Sequence, residues 1–472
     1  MSVQKFHKRG MSRALKEREV LSRIEHLNRG SKTKRILRES LKYESIGHLY
    51  YGAFEEPIVY ESANGTIVRD VDGREYLDLI SGWSTQNAGN CHPRIVKAIR
   101  EQAGKLITNA EMPSESRTKL AKRLTQLSPG GFAKKVQFTT TGGEAVEFAC
   151  KLARSCTGRS NVLAFSGAFH GLTHHNLGLT ADTRFRLWDP TAELPYRLPY
   201  AYCYRCPFDK TYPSCKMWCS DDYIRSLFEG VQYGLRDPGH DLTTVAAIIV
   251  EPMQSHAGFI IPPDGFLRSL RKICDDFGIL LIVDEVQTGW GRTGKLWGVD
   301  HSGVAPDMMT IAKSTAGGIP FSATIVKADL LDEIGPSFHG TTFGGTPLAC
   351  TTALAFIDVL QKERLVERSA RTGAYFLKRL LELQDKHELI GLVQGKGLYI
   401  GMELVKNRMT HEPAPKETKA TQTELLRNGV LVQRGGYFDN RLNFIPPLVI
   451  TERQIDKAVE ALDKSIPPSG SP

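Results

Sequence analysis

Uninterrupted apolar runs recur along the middle of the chain, separated by stretches of helical period. Val245 to Val250 and Ile279 to Val283 carry apolar residues at successive positions, and Met308 to Ala312 does so but for Thr310, as a strand covered on both faces requires. Val136 to Thr139 and Asn161 to Phe165 read as two further short strands. Ala145, Val146, Phe148, Ala149, Leu152 and Ala153 repeat with helical spacing, and Asp264 to Phe277 supplies a crossover helix. Buried strands alternating with helices predict an α/β fold, with a mostly parallel central sheet flanked by helices.

The flanks follow other patterns. Residues 1–45 read as a basic helical arm. Over 46–95 the turn dipeptides Asn64-Gly65 and Asp72-Gly73 separate alternating segments, which predicts a small antiparallel sheet. Ser81 to Asn90 reads as a loop whose Trp83 is either core or a lid, and Pro93 starts a helix running to about Leu106. The large domain covers 96–340 and holds a Pro- and Tyr-rich insertion at about 200–222. From 341 to 472 come a long helix after Phe343, a hairpin over 391–406, short strands in LLRNGVLVQRGG and RLNFIPPLVIT, and a final helix from Glu452 to Ile466. These segments predict a smaller α+β domain built from both ends of the chain.

Composition excludes more than it identifies. A hydrophobic fraction of 41% and a charged fraction of 24% over 472 residues are those of a globular protein. No apolar run approaches the roughly 20 residues of a membrane helix, and no signal-peptide core is present, so a cytoplasmic location is expected. The net charge of +9 is concentrated at the start, where Met1 to Ser40 hold twelve Lys and Arg against four Asp and Glu. Glu17, Glu19, Glu25 and Glu39 interrupt that arm, which argues for packing on the protein or a partner subunit rather than on nucleic acid. An organellar transit peptide is the second reading of the arm.

Two of the apolar runs end on chemistry. Asp284 closes one and Lys313 the other, so an acid and an amine stand at strand ends, where open α/β sheets gather their ligands. Pyridoxal phosphate needs such a pair: a lysine for its aldehyde and an anion to keep its pyridine nitrogen protonated. Upstream, Thr141 and Glu144 have capping-box spacing around Gly142 and Gly143, so a helix N-terminus with exposed N–H groups offers a phosphate site. Phe169 and His170 follow another strand, where an aromatic ring stacks on a flat ligand, and Glu251 ends a further one.

DEVQTGWGRTG, the lysine that follows it, TGGEA, FHG, VEPMQ and HGTTFGG, in this order, resemble the class III aminotransferases of fold-type I pyridoxal-phosphate enzymes. The likeness covers nearly everything after about residue 50. It implies Lys313 as the Schiff-base lysine and proton shuttle, and Asp284 on the pyridinium nitrogen. Gln287 would meet the phenolic oxygen, Val286 and Phe169 would cover the ring faces beside His170, and Glu251 would support the site. Gly142 and Gly143 would hold the phosphate, with Thr342 reaching the phosphate of a neighbouring subunit in a homodimer. The activity implied is transfer of an amino group from a small-molecule donor to a 2-oxo acid. The same fold leaves racemisation, epimerisation or decarboxylation-coupled transamination open.

The likeness breaks where substrates are read. Asn443 stands where members handling α-carboxylates carry arginine, and His256 stands where ω/α-switching members carry glutamate. Arg441, on the same strand face by period 2, and Arg434 are the candidate replacements. An amine, an ω-amino compound or an unusual α-amino donor is therefore expected. Separately, Cys203, Cys206, Cys215 and Cys219 in the insertion have a spacing that four-thiolate structural zinc would accept, with plain reduced thiols as the alternative.

Overall fold

The computed structural model describes residues 13–45, 54–186, 189, 196–232 and 242–468. The first twelve residues of the basic arm lie outside these. Helices Arg13–His26 and Ser31–Tyr43 follow, and Ile24, Leu27, Leu37 and Leu41 close a shared apolar seam against Val59. Between them buried Arg29 donates to Tyr76 Oη at 2.7 Å, and Gly30 N donates to Asp72 Oδ2 at 2.9 Å. A Cβ on Gly30 would lie 2.3 Å from Asp72 Oδ1, so only glycine permits this approach. The arm thus packs on its own chain.

Strands β1 (Tyr60–Asn64), β2 (Ile67–Asp70) and β3 (Glu75–Asp78) form an antiparallel meander through the two turns. Within the expected loop, Ser81 to Ser84 wind as a left-handed turn, with φ of 54°, 56°, 57° and 68°, and the Asp78 carboxylate accepts from Ile80 N and Ser81 N. Trp83 packs there against Val68, Tyr76, Ile80, Leu426 and Leu431, and so acts as core rather than as a lid.

The seven-stranded central sheet contains β4 (Lys134–Thr139), β5 (Asn161–Phe165), β6 (Arg197–Leu198), β7 (Val245–Val250), β8 (Leu280–Asp284), β9 (Met308–Ile311) and β10 (Ser322–Lys327). Their order is β4-β10-β9-β8-β7-β5-β6, parallel from β9 to β6, with β10 antiparallel to both neighbours. The continuous apolar runs are explained by burial on both faces. Leu281, Val283, Met309 and Ile311 enter one core layer, while Ile282 and Met308 enter the other beside Val146, Phe148 and Leu152 of helix Gly142–Thr157.

Helices Pro347–Lys362 and Leu365–Lys386 lead to β11 (Ile390–Lys396), β12 (Tyr399–Asn407) and β13 (Glu412–Pro413). Helix Pro415–Arg427, which the sequence pattern did not predict, takes only Leu425 to Arg427 of the stretch read as strand, and β14 (Val430–Leu431) and β15 (Gln433–Gly435) follow within it before β16 (Arg441–Phe444) and helix Glu452–Ser465. β14 pairs in parallel with β3, so the two ends of the chain share one sheet. Among the described residues no helix is long and apolar enough to cross a membrane.

Candidate active site

The C-terminal ends of β4, β5, β7, β8 and β9 lie along one sheet edge and open on a cavity of about 400 Å³. Asp284 lines it from the end of β8. Thr310 Oγ1, one strand over, donates to Asp284 Oδ1 at 3.0 Å, Val286 N donates to the same oxygen at 3.1 Å, and His170 Nδ1 donates to Oδ2 at 2.7 Å. The carboxylate is therefore orientated by three donors while a face remains on the cavity. His170 Nε2 is buried without a partner among the described residues. Glu285, next in sequence, turns away to accept from Thr288 Oγ1, Gly298 N and Val299 N, and burial pushes its carboxyl up to about 7. Only one member of the acidic pair belongs to the site.

Lys313 enters from the end of β9, at the start of the 3-10 turn Lys313–Ala316, with φ at 44°. That left-handed backbone is costly for a side-chain-bearing residue and turns the amine into the cavity. Its Nζ donates to Gln287 Oε1. Removal of water from the ammonium pulls its pKa down to about 8, against the pull of Asp284 and Glu251.

The opposite wall is the first turn of helix Gly142–Thr157. Thr141 Oγ1 accepts from Glu144 N at 3.2 Å, while Glu144 Oε2 accepts from Thr140 N at 2.7 Å. The glycines at this turn keep the cavity open: a Cβ on Gly142 would stand 3.1 Å from Val286 Cγ1, and one on Gly143 would stand 3.2 Å from Asn176 Nδ2. Free N–H groups at a helix start, a lysine whose amine loses its proton easily, an orientated carboxylate and an adjoining buried imidazole nitrogen fit pyridoxal phosphate in its three anchoring groups.

Phe169, Val286 and Glu251 also line the cavity. Glu251 accepts from Phe169 N at 3.0 Å and Ser255 N at 2.9 Å, which ties together the loops after β5 and β7. Burial raises its carboxyl above the usual range. Thr342 is exposed and stands outside the cavity of its own chain. Thr85, Ser255, Thr310 and the segment Ile319 to Phe321 were not singled out from sequence. Thr310 had a signal, as the one polar residue in the apolar run of β9.

The two candidate arginines do not reach the cavity. Arg441 is 1% exposed, pairs with Glu403 at 2.9 Å and donates to Gly258 O, because β16 lies beside β12 with Arg441 opposite Glu403. Arg434 lies opposite Leu442, which puts it on the other sheet face, and its Nε donates to Gln422 Oε1 at 3.4 Å. Asn443 is buried with neither amide atom partnered among the described residues. His256 packs behind Phe169, with Nε2 donating to Asp182 Oδ2 at 2.6 Å. Among the described residues no arginine lines the cavity.

The zinc expectation is not supported. Cys203, Cys206, Cys215 and Cys219 border one small hollow as free thiols, yet no group of three or more Cys, His, Asp or Glu among the described residues is arranged to hold a metal. Burial, with repulsion from the neighbouring thiols, pushes metal-free Cys203 up to about 11 and Cys219 up to about 12.

A doubly wound sheet with an orientated acid and an amine at adjacent strand ends defines a fold-type I pyridoxal-phosphate enzyme. The sequence profile of Aminotransferase class-III matches residues 50–466. The chain is 38% identical over 413 residues to a leucine/methionine racemase of Thermococcus litoralis, which spans 87% of this chain and 90% of that protein. It is 37% identical over 410 residues to a 5-aminovalerate aminotransferase of Pseudomonas aeruginosa, spanning 86% and 92%. A PLP-bound amine transaminase from an uncultivated Pseudomonas species superimposes with a TM-score of 0.80 at 30% identity, over 89% of this chain and 97% of that one. The chain belongs to the class III aminotransferases and is a pyridoxal-phosphate-dependent transaminase.

Proposed function

We propose that the protein moves an amino group from an amine or ω-amino donor to a 2-oxo acid, with Lys313 and Asp284 as its catalytic residues. The observation that carries the reading is the meeting of these two side chains, from adjacent parallel strands, in one cavity that faces a glycine-rich helix start. Gly142 and Gly143 would hold the cofactor phosphate, Asp284 and His170 the ring nitrogen side, Gln287 the phenolic oxygen, and Phe169 and Val286 the ring faces. Bound there, the cofactor supplies an aldehyde that captures an amine and a ring that withdraws electrons from the neighbouring C–H bond.

The chain's own groups supply the rest. A lysine with a pKa near 8 is partly unprotonated at neutral pH, so Lys313 Nζ is able to accept the proton from the carbon that bears the donor's nitrogen. Asp284, held by Thr310, Val286 N and His170, is fixed at one point, where it would hold a proton on the cofactor's ring nitrogen. Glu251 fixes the loops that carry Phe169 and Ser255. With Arg441 and Arg434 engaged elsewhere, a donor carboxylate finds no bidentate clamp on the cavity wall among the described residues, which favours donors that need none. Titrating the purified protein with candidate amines while following its visible absorbance tests the reading. Loss of the cofactor band with simple or ω-amines is expected, and reaction only with ordinary α-amino acids in the presence of 2-oxoglutarate would overturn it.

A second reading, racemisation or epimerisation of an apolar amino acid on the same lysine, is favoured by the likeness to a leucine/methionine racemase. Chiral chromatography of the recovered donor separates the two.

Assembly as a homodimer with Thr342 serving the partner site is part of the proposal. Supporting it, Glu111 Oε1 accepts from Thr341 N at 2.9 Å and brings two segments together that expose Leu106, Ile107, Met112 and Phe343. A sedimentation mass of one chain would rule it out.

A further inference from the structure

We propose that His256 is a positioning residue for the aromatic platform of this site: held by Asp182, its ring fixes the tilt of Phe169. The inference rests on the reading above that Phe169 covers the cofactor ring.

The two rings come from neighbouring strands. Phe169 follows β5 and His256 follows β7, which are paired in parallel, so both loops leave the same sheet edge. Glu251 locks their backbones together through Phe169 N and Ser255 N. The His256 and Phe169 ring centroids are 5.4 Å apart at an interplanar angle of 34°. Phe185 completes the cluster, 6.1 Å from Phe169 and 5.6 Å from His256. Rings at such spacings are attracted beyond their area burial and hold one another's orientation.

A histidine gives the cluster something phenylalanine would not. Its Nε2 donates to Asp182 Oδ2 at 2.6 Å, which stops the imidazole from turning. Asp182 is fixed in turn by the Arg184 guanidinium, with Nη2 at 2.7 Å, and Arg184 Nη1 reaches Asp439 Oδ2 at 2.9 Å in the C-terminal part of the chain. Gly436 N donates to the His256 carbonyl at 3.3 Å from the same side. The position at which a carboxylate-switching glutamate was expected is thus occupied by a ring-holding group whose Nε2 is already committed to an anion.

The test compares cofactor binding to the apoprotein with the visible circular dichroism of the loaded enzyme, which reports how the bound chromophore sits. His256→Asn keeps a donor for Asp182 and loses the ring. It is expected to weaken cofactor binding roughly three- to tenfold, the range one lost aromatic contact gives, and to change the visible band. His256→Phe restores the ring without the tie to Asp182, and is expected to recover part of the binding while the visible band stays shifted. Asp182→Asn replaces the charged acceptor by a neutral amide, loosens the hold on the imidazole and is expected to shift the band in the same direction, which carries the test should His256→Asn not fold. Phe169→Leu is the control. If it alters both readouts while His256→Asn and Asp182→Asn alter neither, the inference is wrong and the reading of Phe169 stands. If Phe169→Leu alters neither, the reading of Phe169 fails and takes the inference with it.

Discussion

Lys313 and Arg441 are both cations drawn into the protein, each at the end of a strand, and each near a carboxylate. Arg441 has Glu403 in direct contact at 2.9 Å and a backbone carbonyl on a second nitrogen, while Tyr202, Arg205 and Asn440 also bind Glu403. Lys313 touches a neutral amide and faces Asp284 and Glu251 only across a cavity. A cation whose charge is balanced on contact is part of the architecture. One whose charge is left partly unbalanced loses its proton easily and has room beside it for a ligand. The contrast separates the proposed catalytic amine from the arginine that sequence alone offered as a substrate clamp.

Replacing each cation is the most direct way to break the contrast. Lys313→Ala removes the amine proposed to capture the cofactor and move the proton, so kcat/KM is expected to fall by roughly a thousandfold or more, with the visible band lost and the apoprotein no less stable than wild type near neutral pH. Arg441→Met is expected to do the reverse. It leaves Glu403 buried with Arg205 as its one remaining cation, at a cost of about 3 kcal/mol in denaturant unfolding, with kcat/KM of the folded fraction close to wild type. A large activity loss without a stability loss in Arg441→Met would return that arginine to the substrate.

Much of the central architecture was legible because its signal is strong. An all-apolar run such as Ile279 to Val283 has to be covered on both faces, and its break at Asp284 marks a strand end at the cavity. The Lys313 break reads the same way. What was not legible depends on partners distant in sequence. Period 2 correctly put Arg441 on the face of Asn443, but its partner Glu403 follows from the β12–β16 register, which no local pattern reveals. Helix Pro415–Arg427 escaped because it buries Thr418, Thr421 and Gln422, so its inner face does not look apolar. Helix Leu365–Lys386 escaped because the break before it falls at Arg364, with φ at 51°, where no glycine or proline announces it.

A pH titration sharpens the contrast at lower amplitude. The folded-state pKa of Lys313, about 8, lies below that of a lysine in an unfolded chain, about 10.4. Between these values the unfolded chain binds a proton that the folded apoprotein does not, so stability rises with pH across that window and the penalty is full below it. Discounted for the partial exposure of the side chain, the gain is about 2 kcal/mol. It should appear as the difference between wild-type apoprotein and Lys313→Met in urea unfolding at pH 7.5 and 10. Parallel curves for the two would mean that the amine is not held against its charge.

The smallest expected effect concerns thiols that were offered a role by spacing alone. Cys203, Cys206, Cys215 and Cys219 share a hollow, and burial pushes Cys203 and Cys219 above the usual thiol range. Neutral thiols that bind nothing contribute only their packing. Incubation with a strong chelator is therefore expected to leave the melting temperature and kcat/KM unchanged, and Cys206→Ser, at a partly exposed position, to change stability by no more than about 0.5 kcal/mol. A melting temperature that falls on chelation and recovers on adding zinc would show that the four sulfurs close around a metal as thiolates, and that burial here is the consequence of ligation rather than a barrier to it.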